Sequence, residues 1–305
     1  MSSEVPIHKR KFFQILTNVL KVGLTLFIIW SIFRKMDLGE VLSSLTSQPW
    51  WLLAAILLLS VIRHGGQFLV WGYSLRINPL YEPNWKEILT SYMISQPLRF
   101  AIPGAIGMMG KILYITNSSL LATGLCYAIE RYLVIWSIWC FAAVSGFFYF
   151  TQIQLWIRII AVSAVILGPL WIYLFMGAKH KWKHLQEHYL TYAPAIIGIQ
   201  IAISLIAYLQ YWLLLQRVMP IGYGETVMRM SMTHFSISIP ITWAGLGLRE
   251  SFAIHFLSEA GFKALEAVTA TLTLFLIQDV LFALIGAIFF LKAKKIVDLQ
   301  KHALH

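Results

Sequence analysis

Residues 267–291 read AVTATLTLFLIQDVLFALIGAIFFL. As an α-helix this run would be about 37 Å long at 1.5 Å per residue, longer than the ~30 Å hydrocarbon core of a bilayer. One ionisable side chain, Asp279, interrupts it, with Gln278 just before. A helix that is apolar all round belongs in a membrane or deep in a large protein. The composition of the 305 residues decides between these. The AVILMFWYC set makes up 59% and charged residues 12%, against about 25% charged in ordinary soluble domains. Mean hydropathy is +0.72. So few charges cannot cover a soluble surface. The expected fold is all-α, a polytopic integral membrane protein forming one transmembrane domain over residues 1–305. Disordered, collagen-like and disulfide-rich classes are excluded on the same composition.

Five further windows are long and apolar enough to span: about 17–33, 51–75, 128–150, 157–176 and 193–216. The first follows His8, Lys9, Arg10 and Lys11 and ends in Phe33-Arg34-Lys35 with no small-residue cleavage site, so it reads as an uncleaved span. Two more apolar regions, about 88–125 and 229–257, are interrupted midway. Pro103, Gly104 and Gly107 break the first; Pro240, Gly245 and Gly247 break the second. Each half is too short to span comfortably. Each region is expected to form a re-entrant hairpin or two tilted short spans, giving six to eight crossings. Paired Pro/Gly-interrupted segments on opposite faces suggest an inverted repeat around a binding site. The alternative is that these residues only kink spans.

The formal net charge is +11. With six spans, two hairpins and both termini inside, thirteen Lys and Arg fall in inner segments and six in outer ones. That bias predicts cytoplasmic termini. The excess therefore marks loops beside anionic lipid, not nucleic acid. The lack of a eukaryotic targeting signal fits a plasma membrane, by default a bacterial inner membrane.

The remaining cations lie in or beside apolar segments, where each charge costs about 2.5–3.5 kcal/mol on insertion scales. Arg63 and Asp279 sit near the middle of their windows; Arg99 and Lys111 flank the first break, and Arg249-Glu250 follows the second. Four cations against two acids suit an anionic group such as a lipid phosphate, which Arg binds bidentately and Lys as a point charge. Lys111 and Arg249 are the expected phosphate ligands, with Arg63 and Arg99 as second choices. Glu250 and Asp279 would meet amino or hydroxyl groups, or orient the cations. A purely structural Arg63–Asp279 ion pair is the alternative for those two. Glu130 and Arg131 open the 128–150 window, where a local ion pair is as reasonable as a functional role.

Other chemistry is not legible. In Gly104–Lys111, five residues separate the flanking glycines and Ile112 stands where a phosphate loop needs Ser or Thr. ATP binding is therefore not expected. No metal site, cofactor or catalytic residue is read from the nine His or from Cys126 and Cys140.

Four motifs carry a family resemblance. Met36-Asp37-Leu38-Gly39-Glu40-Val41-Leu42 precedes a Trp-led span containing Arg63 and Trp71. Pro103-Gly104 with Gly107 is followed by Lys111. Glu130-Arg131 forms a Glu-Arg span opening. Gly245-Leu246-Gly247-Leu248-Arg249-Glu250 is followed by Gly261. The chain resembles the flippase-like transmembrane domain of lysylphosphatidylglycerol synthetases and related stand-alone membrane proteins. It departs from them at Met109-Gly110, where an acid often precedes the basic residue, and at Gln278-Asp279, where the last span often carries Arg. The resemblance implies movement of an anionic phospholipid or lipid-linked headgroup between leaflets, by a transporter and not an enzyme. The synthetase's soluble domain is not among these residues, so lysyl transfer is not expected. The rival expectations are a polytopic lipid transferase, and a non-catalytic membrane partner of a separate lipid-modifying enzyme.

Overall fold

The computed structural model describes residues 38–101, 107–116, 120–178, 180–239, 242 and 245–293. The 17–33 window, Pro103, Gly104 and Pro240 lie outside them. The described elements are helical: α1 (Leu38–Thr46), α2 (Trp50–Leu75), α3 (Trp85–Ala101), a 3-10 segment (Gly107–Tyr114) and α4 (Leu120–Tyr149). There follow α5 (Leu155–Ile166), α6 (Gly168–Ala178), a second 3-10 segment (His180–Leu185), α7 (Gln186–Leu215) and α8 (Tyr223–Ile237). The described chain closes with α9 (Leu248–Ser258), α10 (Ala264–Leu274), a π-helical turn (Phe275–Val280) and α11 (Leu281–Lys292).

Four continuous helical stretches among the described residues are long and apolar enough to cross a membrane: Trp50–Leu75, Leu120–Tyr149, Trp182–Leu215 and Ala264–Lys292. The 157–176 window is not one straight span. It is α5 and α6, bent by 56° at their junction. Pro169 causes the break, because it has no N–H and its ring displaces the preceding carbonyls. The Val165 carbonyl that it frees, and two more around the bend, are taken by side chains from neighbouring helices. Trp136 Nε1 donates to Val165 O at 2.7 Å, Tyr132 OH to Gly168 O at 3.1 Å and Tyr189 OH to Pro169 O at 2.9 Å. Satisfying these groups from within is what makes a broken helix tolerable in lipid. No α5 residue is buried, and α5 and α6 present Trp156, Ile160, Leu170 and Trp171 outward. Such a face suits acyl chains.

Both interrupted regions fold back on themselves. Helix α3 packs along the first 3-10 segment, and α8 along α9. At 17 residues α3 is the longest of these arms, about 25 Å and so shorter than the hydrocarbon core. Two units thus share one element order: α2, hairpin, α4, and then α7, hairpin, α10–α11. Their contacts are reciprocal. Helix α2 packs on α7, α4 packs on the first arm of the second hairpin, and α11 packs on the first arm of the first. Helices α2 and α7 run antiparallel, since Tyr73 meets Tyr192, Gln67 meets Gln200 and Ser60 meets Gln210.

The α3–α11 crossing shows how closely the backbones approach. Pro97 deprives the Met93 carbonyl of its helical donor, and α11 passes there with Gly286. A Cβ on Gly286 would fall on the Met93 carbonyl oxygen and against Pro97 Cδ, well inside contact distance. Because the obstacle is backbone, it cannot swing aside. Gly286→Ala is expected to lower stability by about 1–3 kcal/mol, the usual cost of overpacking, read as a lower unfolding temperature of the detergent-solubilised protein. An unchanged transition would show that the crossing relaxes freely.

Candidate functional site

A cavity of about 320 Å³ opens between the two hairpins and is walled by α2, α4, α7 and the π-helical turn. Arg63, Arg99, Lys111, Arg131 and Arg249 line it, against Glu130 and Asp279. Every one of these is surrounded by apolar spans, so each charge needs an answer close by.

Asp279 is the hub. Its Oδ1 lies 2.7 Å from Arg99 Nη1 on α3, and its Oδ2 lies 3.9 Å from Arg249 Nη1 on α9. One carboxylate therefore ties the tips of both hairpins to the last membrane-crossing stretch. Its place in the π-helical turn fits this, since such turns re-aim side chains and recur at functional sites.

Arg249 is held from its other edge. Its Nε and Nη2 donate to Glu250 Oε1 at 3.0 and 2.6 Å. The second Glu250 oxygen accepts the Gly247 N–H at 2.6 Å. That bond requires Gly247 at φ 81°, with Gly245 at φ 77°, a conformation that side-chain-bearing residues adopt only at a cost. The Gly-Leu-Gly-Leu-Arg-Glu string is thus a turn that locks a carboxylate beneath an arginine.

Lys111 has a different environment. Its side chain is 1% exposed, its Nζ lies 2.5 Å from Glu130 Oε2, and it stands 3.7 Å from the centroid of a Trp71 ring. Trp71 is fixed by its own bond to Ser91 Oγ at 2.9 Å. Lys111 is therefore already neutralised inside the protein. Glu130 does not open a span, because α4 begins ten residues earlier, at Leu120. Its ion-pair partner is Lys111 and not the adjacent Arg131; neighbouring residues on a helix do not face each other. Arg131 makes no hydrogen bond or ion pair among the described residues, and its Nε is buried without a partner.

Arg63 is not paired with Asp279. Its Nη1 donates to the side-chain oxygens of Gln278 and, at 3.2 Å, of Gln210. Gln210 is pinned in turn by Ile56 O and Ser60 Oγ, both at 2.9 Å. Beside it, His64 Nε2 lies 2.9 Å from Gln278 O and its Nδ1 2.6 Å from Tyr92 OH. A carbonyl only accepts, so Nε2 carries the proton and the Tyr92 hydroxyl donates to Nδ1. His234 also lines the cavity, with Nδ1 unpartnered.

All six candidate binding residues are thus placed within one region. Arg63, Arg99, Lys111, Arg249 and Asp279 line the cavity, and Glu250 sits directly behind Arg249. Among the break residues, Gly107 starts the 3-10 segment and Gly245 and Gly247 form the second turn. The sequence reading missed His64, Gln67, Tyr92, Gln200, Gln210 and His234. An amide inside an apolar window was the available signal: Gln200 and Gln210 stand out from 193–216 as Asp279 does from 267–291.

Fold and site together define an all-α membrane protein with a charged cavity between two helical hairpins. The sequence matches the family Lysylphosphatidylglycerol synthase TM region over residues 18–286, and the chain belongs to that family. No curated protein matches the chain significantly.

The Lys111–Glu130 pair should reveal itself by asymmetry. Glu130→Gln leaves a buried ammonium without a counter-charge and is expected to cost about 3–5 kcal/mol. Lys111→Met combined with Glu130→Gln removes both charges and should recover most of that loss. Unfolding temperatures of the three proteins in one detergent test this; equal losses in single and double variants would contradict it.

Proposed function

We propose that the protein moves an anionic phospholipid or lipid-linked headgroup between the leaflets of the plasma membrane, as a transporter and not as an enzyme. The supporting observation is the cavity itself: five cationic side chains facing two acids, between hairpins whose arms are shorter than a bilayer. On this reading the chain crosses six times, with both termini cytoplasmic. The hairpins are re-entrant and enter from opposite faces as parts of an inverted repeat. The headgroup passes through the polar cavity while its acyl chains stay in lipid along the outer apolar helices.

The residues divide the work. Arg131 and Arg249 offer guanidinium donors to phosphate oxygens. Glu250 fixes the Arg249 plane so that Nη1 faces the cavity. Gln67, Gln200 and His234 supply neutral polar groups for hydroxyls of the headgroup. The Lys111–Glu130 pair holds the first hairpin against α4 without drawing in an anion of its own.

The test is reconstitution in liposomes of defined lipid, following a fluorescent phosphatidylglycerol from one leaflet to the other. Protein-dependent movement is expected, faster for the anionic probe than for a phosphatidylcholine one. Losing one charge-assisted hydrogen bond is worth about 1.5–3 kcal/mol, so Arg131→Ala or Arg249→Ala should slow it roughly tenfold or more. Movement unchanged in both variants would remove the cavity from the mechanism, and no movement by the intact protein would remove the function.

A further inference from the structure

A second cavity lies across α4 from the charged one. It measures about 120 Å³ and sits between the first turns of α4, the turn after α2 and the second 3-10 segment. Ile129 faces it, whereas Glu130 and Arg131 face the central cavity, so α4 is the wall between the two.

The walls of this second cavity are apolar. Ile77, Leu125, Ile129 and Leu185 form much of them, and Ile77, Ile129 and Leu185 belong to one buried cluster with Val70 and Leu133. The polar atoms beside them are already engaged. Cys126 Sγ donates to Leu75 O at 3.7 Å, and Asn78 Oδ1 accepts the Leu80 N–H at 3.3 Å. A water needs several polar partners; an apolar cavity stays dry and takes an apolar ligand.

The mouth opens toward lipid, since Leu121 at its edge is 62% exposed. Helix α4 has 30 residues, about 45 Å of helix against a ~30 Å hydrocarbon core. Centred on the bilayer, it overhangs the core by about 7 Å at each end. Leu121 then lies at headgroup level, and Leu125 to Ile129 lie beside the first methylenes of the acyl chains.

The rim has the chemistry of that boundary. Trp182 lines it, its ring 5.4 Å from that of Phe175, and the exposed His184 follows. Tryptophan favours the membrane–water interface. Between positions 179 and 188 the sequence sets Lys179, Lys181 and Lys183 against one acid, Glu187. Lys183 is exposed and makes no ion pair among the described residues. At the other wall Arg76 and Glu82 flank Ile77-Asn78 in sequence and cancel. A net positive rim above an apolar cleft suits an anionic headgroup above its acyl chain.

We infer that this lateral pocket holds the upper acyl chain of a resident anionic phospholipid, bound apart from the central cavity, with its headgroup against the 179–184 segment. The chain extends the Ile77–Ile129–Leu185 core and so braces the segment joining the two units against α4. Its place in the cytoplasmic leaflet rests on the topology proposed above; the pocket and the charge of its rim do not.

The experiment is native mass spectrometry of the full chain, titrated with phosphatidylglycerol or with phosphatidylcholine of the same acyl chains. It compares the intact protein with the Arg131→Ala/Arg249→Ala variant, whose central cavity has lost two cations. One phosphatidylglycerol should stay bound in both, held more tightly than phosphatidylcholine. Ala122→Phe places a ring in the pocket and should expel that lipid. Lys183→Glu, on the exposed surface, should weaken its retention roughly tenfold or more. Retention that neither substitution disturbs would overturn the pocket. Loss of all lipid in the Arg131→Ala/Arg249→Ala variant would overturn its separateness, and equal retention of the two lipids would overturn the anionic headgroup. If phosphatidylglycerol is held in this way but the intact protein moves no lipid between leaflets, the pocket stands and translocation fails.

Discussion

A charge held at the depth of a bilayer must meet an opposite charge or a polar cavity, and here that requirement doubles as long-range architecture. Arg249–Glu250 is a local pair, while the other ion pairs around the cavity join separate elements. Lys111 in the first hairpin meets Glu130 on α4. Arg99, also in the first hairpin, meets Asp279 in the last crossing stretch, which in turn faces Arg249 in the second hairpin. Apolar surfaces alone give little reason for one helix to choose another in lipid, since acyl chains are as apolar as leucine. The ion pairs and the amide network of Gln67, Gln200, Gln210 and Gln278 supply the specificity that hydrophobicity cannot.

The same economy governs the backbone. Prolines at 97 and 169 each cost a helical hydrogen bond, and the structure answers each one locally. At Pro169, two aromatic hydroxyls and an indole N–H take the carbonyls around the bend. At Pro97, no side chain among the described residues bonds the Met93 carbonyl; instead Gly286 lets α11 pass close against it. One site is met by hydrogen bonding and the other by close packing. Both place a small or polar residue where a bulky apolar one would otherwise suit a lipid-embedded helix.

What the sequence disclosed follows from the range of each signal. Apolar windows survive translation into helices because spanning lipid demands a long unbroken run, and α2, α4, α7 and α10–α11 all fall on windows legible beforehand. Interruptions of the apolar runs were legible from Pro and Gly, whose effect on φ and on donors is local, though Pro103, Gly104 and Pro240 lie outside the described residues. Partners were not. Arg63 and Asp279 stand near the middle of their windows, yet Asp279 goes to Arg99 and Arg249, because the π-helical turn and the hairpin tips decide which guanidinium comes near. Glu130 and Arg131 are adjacent in sequence but leave the helix in different directions, so their apparent pairing dissolves. A charge at depth can be recognised from composition; its counter-charge depends on tertiary packing.

The two units share an order of elements without sharing chemistry, and this difference locates the site. Where α3 meets the second unit's last stretch, the contact carries the Arg99–Asp279 ion pair. At the reciprocal contact, where α8 meets α4, the groups are neutral: Ser231 bonds Ser145 at 2.7 Å, Ser238 accepts from Trp139 Nε1 at 3.0 Å, and Trp139 packs on Phe235. The second hairpin brings its cation from beyond its turn, on α9, while the first contributes from both sides of its break. The two units thus frame a cavity with Arg99 and Arg249 beside the stretch bearing Gln278 and Asp279, and with Lys111, Glu130 and Arg131 also in its lining. The packing of the two units explains why a cavity exists there, and Asp279 and Glu130 supply the negative charge on its walls.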